Sequence, residues 1–188
     1  MRHPAWPLVL FGLATLGSGS PDAVAAQTEV FVAGAAALPL GDFGEIADLG
    51  IHGQLGGTVE VGTSGFAVAA SGFFGSLPHA IAGDRSDLYG ATVLTGYTIV
   101  DAYELRLRTW AGVGGMVHTR KSDRFPGLDG SKRGLSVSGG AVVSRPVGRI
   151  SLFGSGFYTR GLGDLGTSSY PTEFVTIGGG VSIPLSRD

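Results

Sequence analysis

From Gln27 onward, apolar residues recur at every second position. In Ile51–Val61, the residues Ile51, Gly53, Leu55, Gly57, Val59 and Val61 fall on one face. His52, Gln54, Gly56, Thr58 and Glu60 fall on the other. This is the period of a strand that meets two different environments. Tyr103–His118 repeats it, with Leu105, Leu107, Thr109, Ala111, Val113 and Val117 against Glu104, Arg106, Arg108, Trp110 and Met116. The last segment sets Val175, Ile177, Val181, Ile183 and Leu185 against Thr176, Gly178, Gly180 and Ser182. Eight segments of this kind are predicted: Glu29–Leu38, Ile51–Val61, Gly65–Phe74, Tyr89–Ile99, Tyr103–His118, Gly134–Val143, Arg149–Arg160 and Phe174–Leu185. In the first and third, alanine and phenylalanine occupy both faces, and the phase stays open. No segment sustains a 3.6-residue stripe, so little helix is expected.

The connections alternate in length. Pro39–Gly50, Gly75–Leu88, Thr119–Arg133 and Gly161–Glu173 are long. Gly62–Ser64, Val100–Ala102 and Ser144–Gly148 are short. In an up-and-down meander, this sorting puts every long loop at one end and both termini at the other. Outer-membrane barrels are built that way, with an even strand number, tight periplasmic turns and longer outside loops. A sheet that crosses lipid must also close, because an open edge leaves backbone groups without partners. The expected fold class is therefore all-β, an eight-stranded antiparallel up-and-down transmembrane barrel.

Composition fits this picture. The chain has 34 glycines and is only 15% charged, with a mean hydropathy of +0.28, too apolar for a disordered segment. Glycine suits a narrow, strongly coiled barrel with little interior space. The absence of cysteine removes disulfides, thiolate metal sites and cysteine nucleophiles. A formal net charge of −2 gives no electrostatic support for a nucleic-acid partner. Arg2 and His3, the apolar run Trp6–Leu16, the breakers Gly17–Pro21 and the small residues Val24-Ala25-Ala26 form a secretory-signal pattern. Residues 1–26 are thus expected to be cleaved near Ala26, leaving 27–188 as the barrel domain.

Three features together resemble the small outer-membrane β-barrel family of the OmpA/OmpX type. They are the opening strand running into Leu38-Pro39-Leu40-Gly41-Asp42-Phe43, the eight-segment meander, and the final Gly178-Gly179-Gly180-Val181-Ser182-Ile183-Pro184-Leu185. The resemblance implies residence in the outer membrane of a diderm bacterium. It also implies contact with the lipid bilayer and, during biogenesis, with the outer-membrane insertion machinery.

The sequence offers no catalytic, cofactor or metal signature. It has no G-x-S-x-G, H-E-x-x-H or P-loop, and Gly112/Gly114 and Gly154/Gly156 precede no helix. His52 and His118 fall at outer strand ends and His79 in a long loop, where they read as rim histidines. The inward parity is more informative. Arg106 and Arg108 share the parity of Glu104, opposite Leu105 and Leu107, and a lipid-facing arginine near mid-bilayer would cost about 2–4 kcal/mol. Glu29, Glu60, Glu104, Arg106 and Arg108 are expected to form one lumen ion-pair network near the periplasmic end, centred on Arg106, that plugs the barrel. The third long loop is basic. Arg120, Lys121, Arg124, Lys132 and Arg133 are candidates for contacts to phosphates of lipopolysaccharide-type lipids in the outer leaflet. The expected role is structural or surface-interacting, non-enzymatic and monomeric. A porin-like barrel for small solutes, a secreted soluble barrel with a ligand cavity and a lipid-modifying enzyme are the alternatives.

Overall fold

The computed structural model describes residues 27–81, 83–162 and 171–185. The expected signal segment lies outside them. The eight strands are β1 (Thr28–Pro39), β2 (Gly50–Val61), β3 (Phe66–Pro78), β4 (Asp84–Ala102), β5 (Leu105–Ser122), β6 (Gly130–Val147), β7 (Ile150–Gly161) and β8 (Glu173–Pro184). Each pairs antiparallel with its sequence neighbour, and β1 closes on β8 from Glu29↔Pro184 to Pro39↔Phe174. All backbone edges are thereby satisfied, as a lipid-spanning sheet requires.

Strands β4, β5 and β6 run well past the lengths the alternation predicts. Gly75–Leu88 and Thr119–Arg133, expected as loops, are mostly strand. The ladder continues to Pro78↔Arg85 between β3 and β4, to Asp84↔Ser122 between β4 and β5, and to Arg120↔Gly130 between β5 and β6. The reason is chemical. Some 9–11 residues suffice to cross the bilayer, and beyond it both faces of a strand can be polar. The two-residue alternation then vanishes although pairing persists.

The short connections are tight. Tyr103 and Glu104 both take positive φ, 54° and 63°, in a two-residue hairpin. A register shift between Thr98 and Val100 precedes it. Gly148 and Arg149 make the β6–β7 turn, with Gly148 at φ 65°.

Outward positions form an apolar belt, with Val32, Leu55, Val93, Val113, Leu135 and Ile177 all more than half exposed. Inward positions fill the lumen in layers. The lower layer is Ala67, Ala69, Leu94 and Trp110, packed against Val142 and Phe157. The upper is Ala37, Phe43, Ala47, Leu77, Leu88, Met116 and Phe174, with Ile46 and Phe73 against it. Phe43 comes from a one-turn helix, α1 (Gly41–Gly44), in the first long connection, and is 2% exposed. That connection therefore folds inward as a stopper. Several polar side chains between the layers bond one another. Gln54 donates to Ser71 Oγ at 2.7 Å, and Ser138 and Thr159 hydroxyls lie 3.0 Å apart.

The inward glycines have a specific cause. Phe31, Phe73, Trp110, Phe153 and Phe157 each lie opposite a glycine on the neighbouring strand: Gly56, Gly90, Gly96, Gly180 and Gly140. A Cβ at any of these glycines would sit 2.5–2.9 Å from the facing ring. The rings lie down over bare backbone, which is how a narrow barrel holds five large aromatics.

Candidate functional site: the charged floor and the sealed roof

Near the short-turn end, β5 turns Arg106 and Arg108 inward while Leu105 and Leu107 hold the outer register. Glu60, close to the end of β2, faces them across the lumen. Its Oε1 accepts from Arg106 Nη1 at 2.6 Å and from Arg108 Nη2 at 2.5 Å. Arg108 also donates from Nε to Thr98 Oγ1 at 3.1 Å and stacks 5.4 Å from the Trp110 ring centroid. Its side chain is 10% exposed. Arg106 is completed by Asp101, whose Oδ2 lies 3.1 Å from it and which is 60% exposed. One partly buried carboxylate thus bridges two guanidinium groups, and a rim carboxylate balances the second.

The expected five-residue network divides here. Glu60, Arg106 and Arg108 come together, and the shared centre is Glu60 rather than Arg106. Glu104 does not join them. It lies in the Tyr103-Glu104 turn, so strand parity does not govern it, and it pairs with Arg145 at 2.9 Å with both side chains about two-thirds exposed. Glu29 is also separate. Its carboxylate accepts from Ser182 Oγ at 3.0 Å and from Gln27 Nε2 at 3.5 Å. Asp101 and Arg145 lie in or beside turns, where no periodicity marks them.

From the short-turn end, past Arg106 and Arg108 and up to the Trp110 layer, runs a cavity of about 240 Å³. Gln27, Glu104 and Pro146 line it on the short-turn side, and Leu94 and Phe157 close it above.

The basic residues of the opposite end also part. Arg120, a candidate for lipid phosphates by sequence, instead holds the lumen-facing register of β5. It donates to Asp84 Oδ2 at 3.1 Å, where Asp84 is 1% exposed. Hydrogen bonds from Ser122 and Arg120 keep the Asp84 carboxyl below its ordinary range against the cost of burial. Lys121 faces outward and shares Asp87 with Arg85, at 3.2 and 3.4 Å. Arg133 follows on the outward register of β6, level with Val117. Lys132 pairs in register with His118 on the inward side but is exposed at the rim, and Arg124 lies in the exposed loop.

Two histidines that read as rim residues in the sequence converge inside the roof. His79 Nε2 and His118 Nε2 lie 2.9 and 2.7 Å from Ser86 Oγ, and His118 Nδ1 lies 2.8 Å from Thr172 Oγ1. Phe43 packs edge-on against the His118 ring, with centroids 5.5 Å apart. Burial, then Arg120, pushes the His79 pKa below its ordinary value. Ser86 is fully buried. This serine–histidine grouping works as a knot: His79 of the second long connection and His118, at the strand end before the third, meet on the Ser86 hydroxyl, while Phe43 of the first and Thr172 of the fourth hold the His118 ring. Ser86 and His118 share inward parity with Leu88 and Met116, but both lie beyond or at the limit of the alternating segments.

A closed eight-stranded antiparallel meander with an apolar exterior, tight turns at one end and a polar, folded opposite end defines a transmembrane β-barrel of the small outer-membrane type. Solved structures of such barrels share the fold. Neisserial surface protein A superposes with a TM-score of 0.62 at 12% identity, over 83% of this chain and 96% of that one. A major outer membrane protein from Thermus thermophilus gives 0.55 at 14%, over 86% and 100%. Ail of Yersinia pestis, solved with the heparin analogue sucrose octasulfate, gives 0.54 at 15%, over 84% and 99%. No protein-family profile and no curated protein matches the sequence.

Proposed function

We propose that the protein is exported, loses residues 1–26 near Ala26, and resides in the outer membrane as a monomeric, non-conducting barrel with a structural or surface-interaction role. The observation that supports this reading is the layered filling of the lumen above the short-turn end. A Glu60-bridged arginine pair stands below a Trp110 layer, and a Phe43-stoppered, hydrogen-bonded roof stands above it. An eight-stranded barrel has just enough interior for side chains to fill, and this one is filled in layers. The exposed polar end of β4–β6, which stands above the apolar belt, is the surface offered to partners. Lys121, Arg124, Arg133 and Arg85 lie there, within reach of outer-leaflet lipid phosphates. Ail, solved with a polyanion, has the same fold and lends that assignment support.

The test is single-channel recording on the purified full chain in planar bilayers, together with membrane fractionation. No discrete conductance steps are expected, and the chain should be found in the detergent-extracted outer membrane. Steady channels in the wild-type protein would replace the closed-barrel reading with small-solute transport. Recovery as a soluble periplasmic or secreted protein would overturn the membrane address.

A further inference from the structure

The cavity under the Trp110 layer has walls of two kinds, and they suit one class of ligand. On one side Phe31 and Phe153 meet edge to face, their ring centroids 6.2 Å apart at 85°. Beside them stand the hydroxyls of Ser151 and Ser155, and at the mouth stands the Glu29 carboxylate. Glu29 and Phe31 are two residues apart on the inward face of β1, and Ser182, which donates to Glu29, pairs in register with both Phe31 and Ser151. Carboxylate, aromatic rings and hydroxyls are therefore contiguous across β7, β8 and β1.

The charges in the cavity are not equally engaged. Arg106 and Arg108 have Glu60 and Asp101. Glu29 has only neutral donors, Ser182 and Gln27, and no ion pair among the described residues. An anion entering here finds both guanidinium groups already neutralised and Glu29 repelling it. A cation finds a carboxylate with no ion-pair partner among the described residues, for which only the α-ammonium created by cleavage before Gln27 would compete, next to aromatic rings that attract positive charge. Size narrows the choice further. An apolar cavity of about 150 Å³ takes benzene, and drug-sized ligands fill about 300–1,000 Å³. At about 240 Å³, this one suits a single ring or short chain bearing one polar arm.

The geometry points to a binding site, open at the short-turn end, for a small primary ammonium with an aromatic or apolar body. The ammonium sits on Glu29 and the Ser151 hydroxyl, and the body lies against Phe31 and Phe153. Such a site is independent of conduction, because the Trp110 layer closes it from above.

Isothermal titration calorimetry of the detergent-solubilised full chain with phenethylammonium tests it. Phenylacetate serves as the anion with the same body and benzyl alcohol as the neutral probe. Two variants complete the experiment. Glu29→Gln removes the charge and also reports simple partitioning into micelles. Ser155→Phe fills the cavity without touching Glu29. Heat-modifiable migration on gels verifies that each variant is folded. Saturable one-to-one binding of phenethylammonium to the wild type is expected, weakened about tenfold or more by Glu29→Gln, the scale of losing one charge-assisted contact. Ser155→Phe should abolish it, and phenylacetate should not bind. Equal heats from wild type and Glu29→Gln, or a preference for phenylacetate, overturn the assignment. So does the absence of saturable binding, the result expected if an amine or guanidinium of the chain itself already occupies Glu29.

Discussion

Glu60→Gln is the most informative single substitution in the lumen. The amide keeps the shape of the carboxylate and an oxygen that can still accept from Arg106 or Arg108, so no cavity forms. What disappears is the one negative charge between two guanidinium groups 2.6 and 2.5 Å away. Removing one member of a buried ion pair costs about 3–5 kcal/mol, whereas an exposed pair is worth about 0–1 kcal/mol. Arg108 is near the buried limit at 10% exposure, and Arg106 lies between at 32%. Arg106 retains Asp101, while Arg108 retains only Thr98 and the Trp110 face. A destabilisation of about 2–4 kcal/mol follows, between those two limits. Asp101→Asn, on the 60% exposed partner, should cost no more than about 1 kcal/mol. Urea unfolding of the barrel in lipid vesicles, followed by Trp110 fluorescence and gel mobility, measures both. Combining Glu60→Gln with Arg108→Met should recover part of the loss, because the stranded charge leaves with its partner. Conductance should stay absent in every variant, since the Leu94–Trp110 layer is untouched. A Glu60→Gln cost below that of Asp101→Asn would refute the bridging role. Opening of a channel with unchanged stability would make the arginine pair a gate instead of a brace.

Three further outcomes follow from the same structure. Gly140→Ala should destabilise by about 1–3 kcal/mol, because its Cβ would strike the Phe157 ring and the Gly156 carbonyl. Gly156→Ala on the adjoining strand faces open space and should be neutral or stabilising by about 0.4–1 kcal/mol; equal effects in unfolding would refute the ring-over-glycine packing. The roof should loosen in acid. The depressed His79 pKa means the unfolded chain takes up protons first, so this stabilisation is complete above about pH 6.5 and is lost as pH falls below it. Protonating His79 would place a second positive charge in a buried site beside Arg120, offset only in part by Asp84 and Asp48. Hydrogen exchange around Phe43 and His79 that is unchanged between about pH 7.5 and about pH 5 would count against it. Finally, Leu55→Arg and Ile177→Arg on the outer face should each cost about 2–4 kcal/mol if near mid-bilayer, and water-like mobility of spin labels there would contradict a lipid-facing belt.

Much of the architecture follows from the sequence because a narrow barrel in lipid imposes a strict two-residue code. Leu55, Leu107 and Ile177 must look out and Arg106 and Arg108 must look in, since the alternatives cost kilocalories at each position. Loop sorting then fixes the up-and-down order without any long-range information. That code fails wherever lipid stops. Arg85 and Lys121 lie on strands that continue above the apolar belt, where polar residues suit both faces and alternation carries no signal. The Tyr103-Glu104 hairpin breaks parity by turning, which sends Glu104 to Arg145 instead of to the lumen. Whether two inward residues touch depends on the stagger between strands, and only closure of the barrel decided that. It set Glu60 of β2 between arginines of β5, left Glu29 beside two phenylalanines, laid five rings over five glycines, and drew His79 and His118 onto a single serine. Periodicity tells each residue which way to face; the circumference of the closed sheet decides what it meets there.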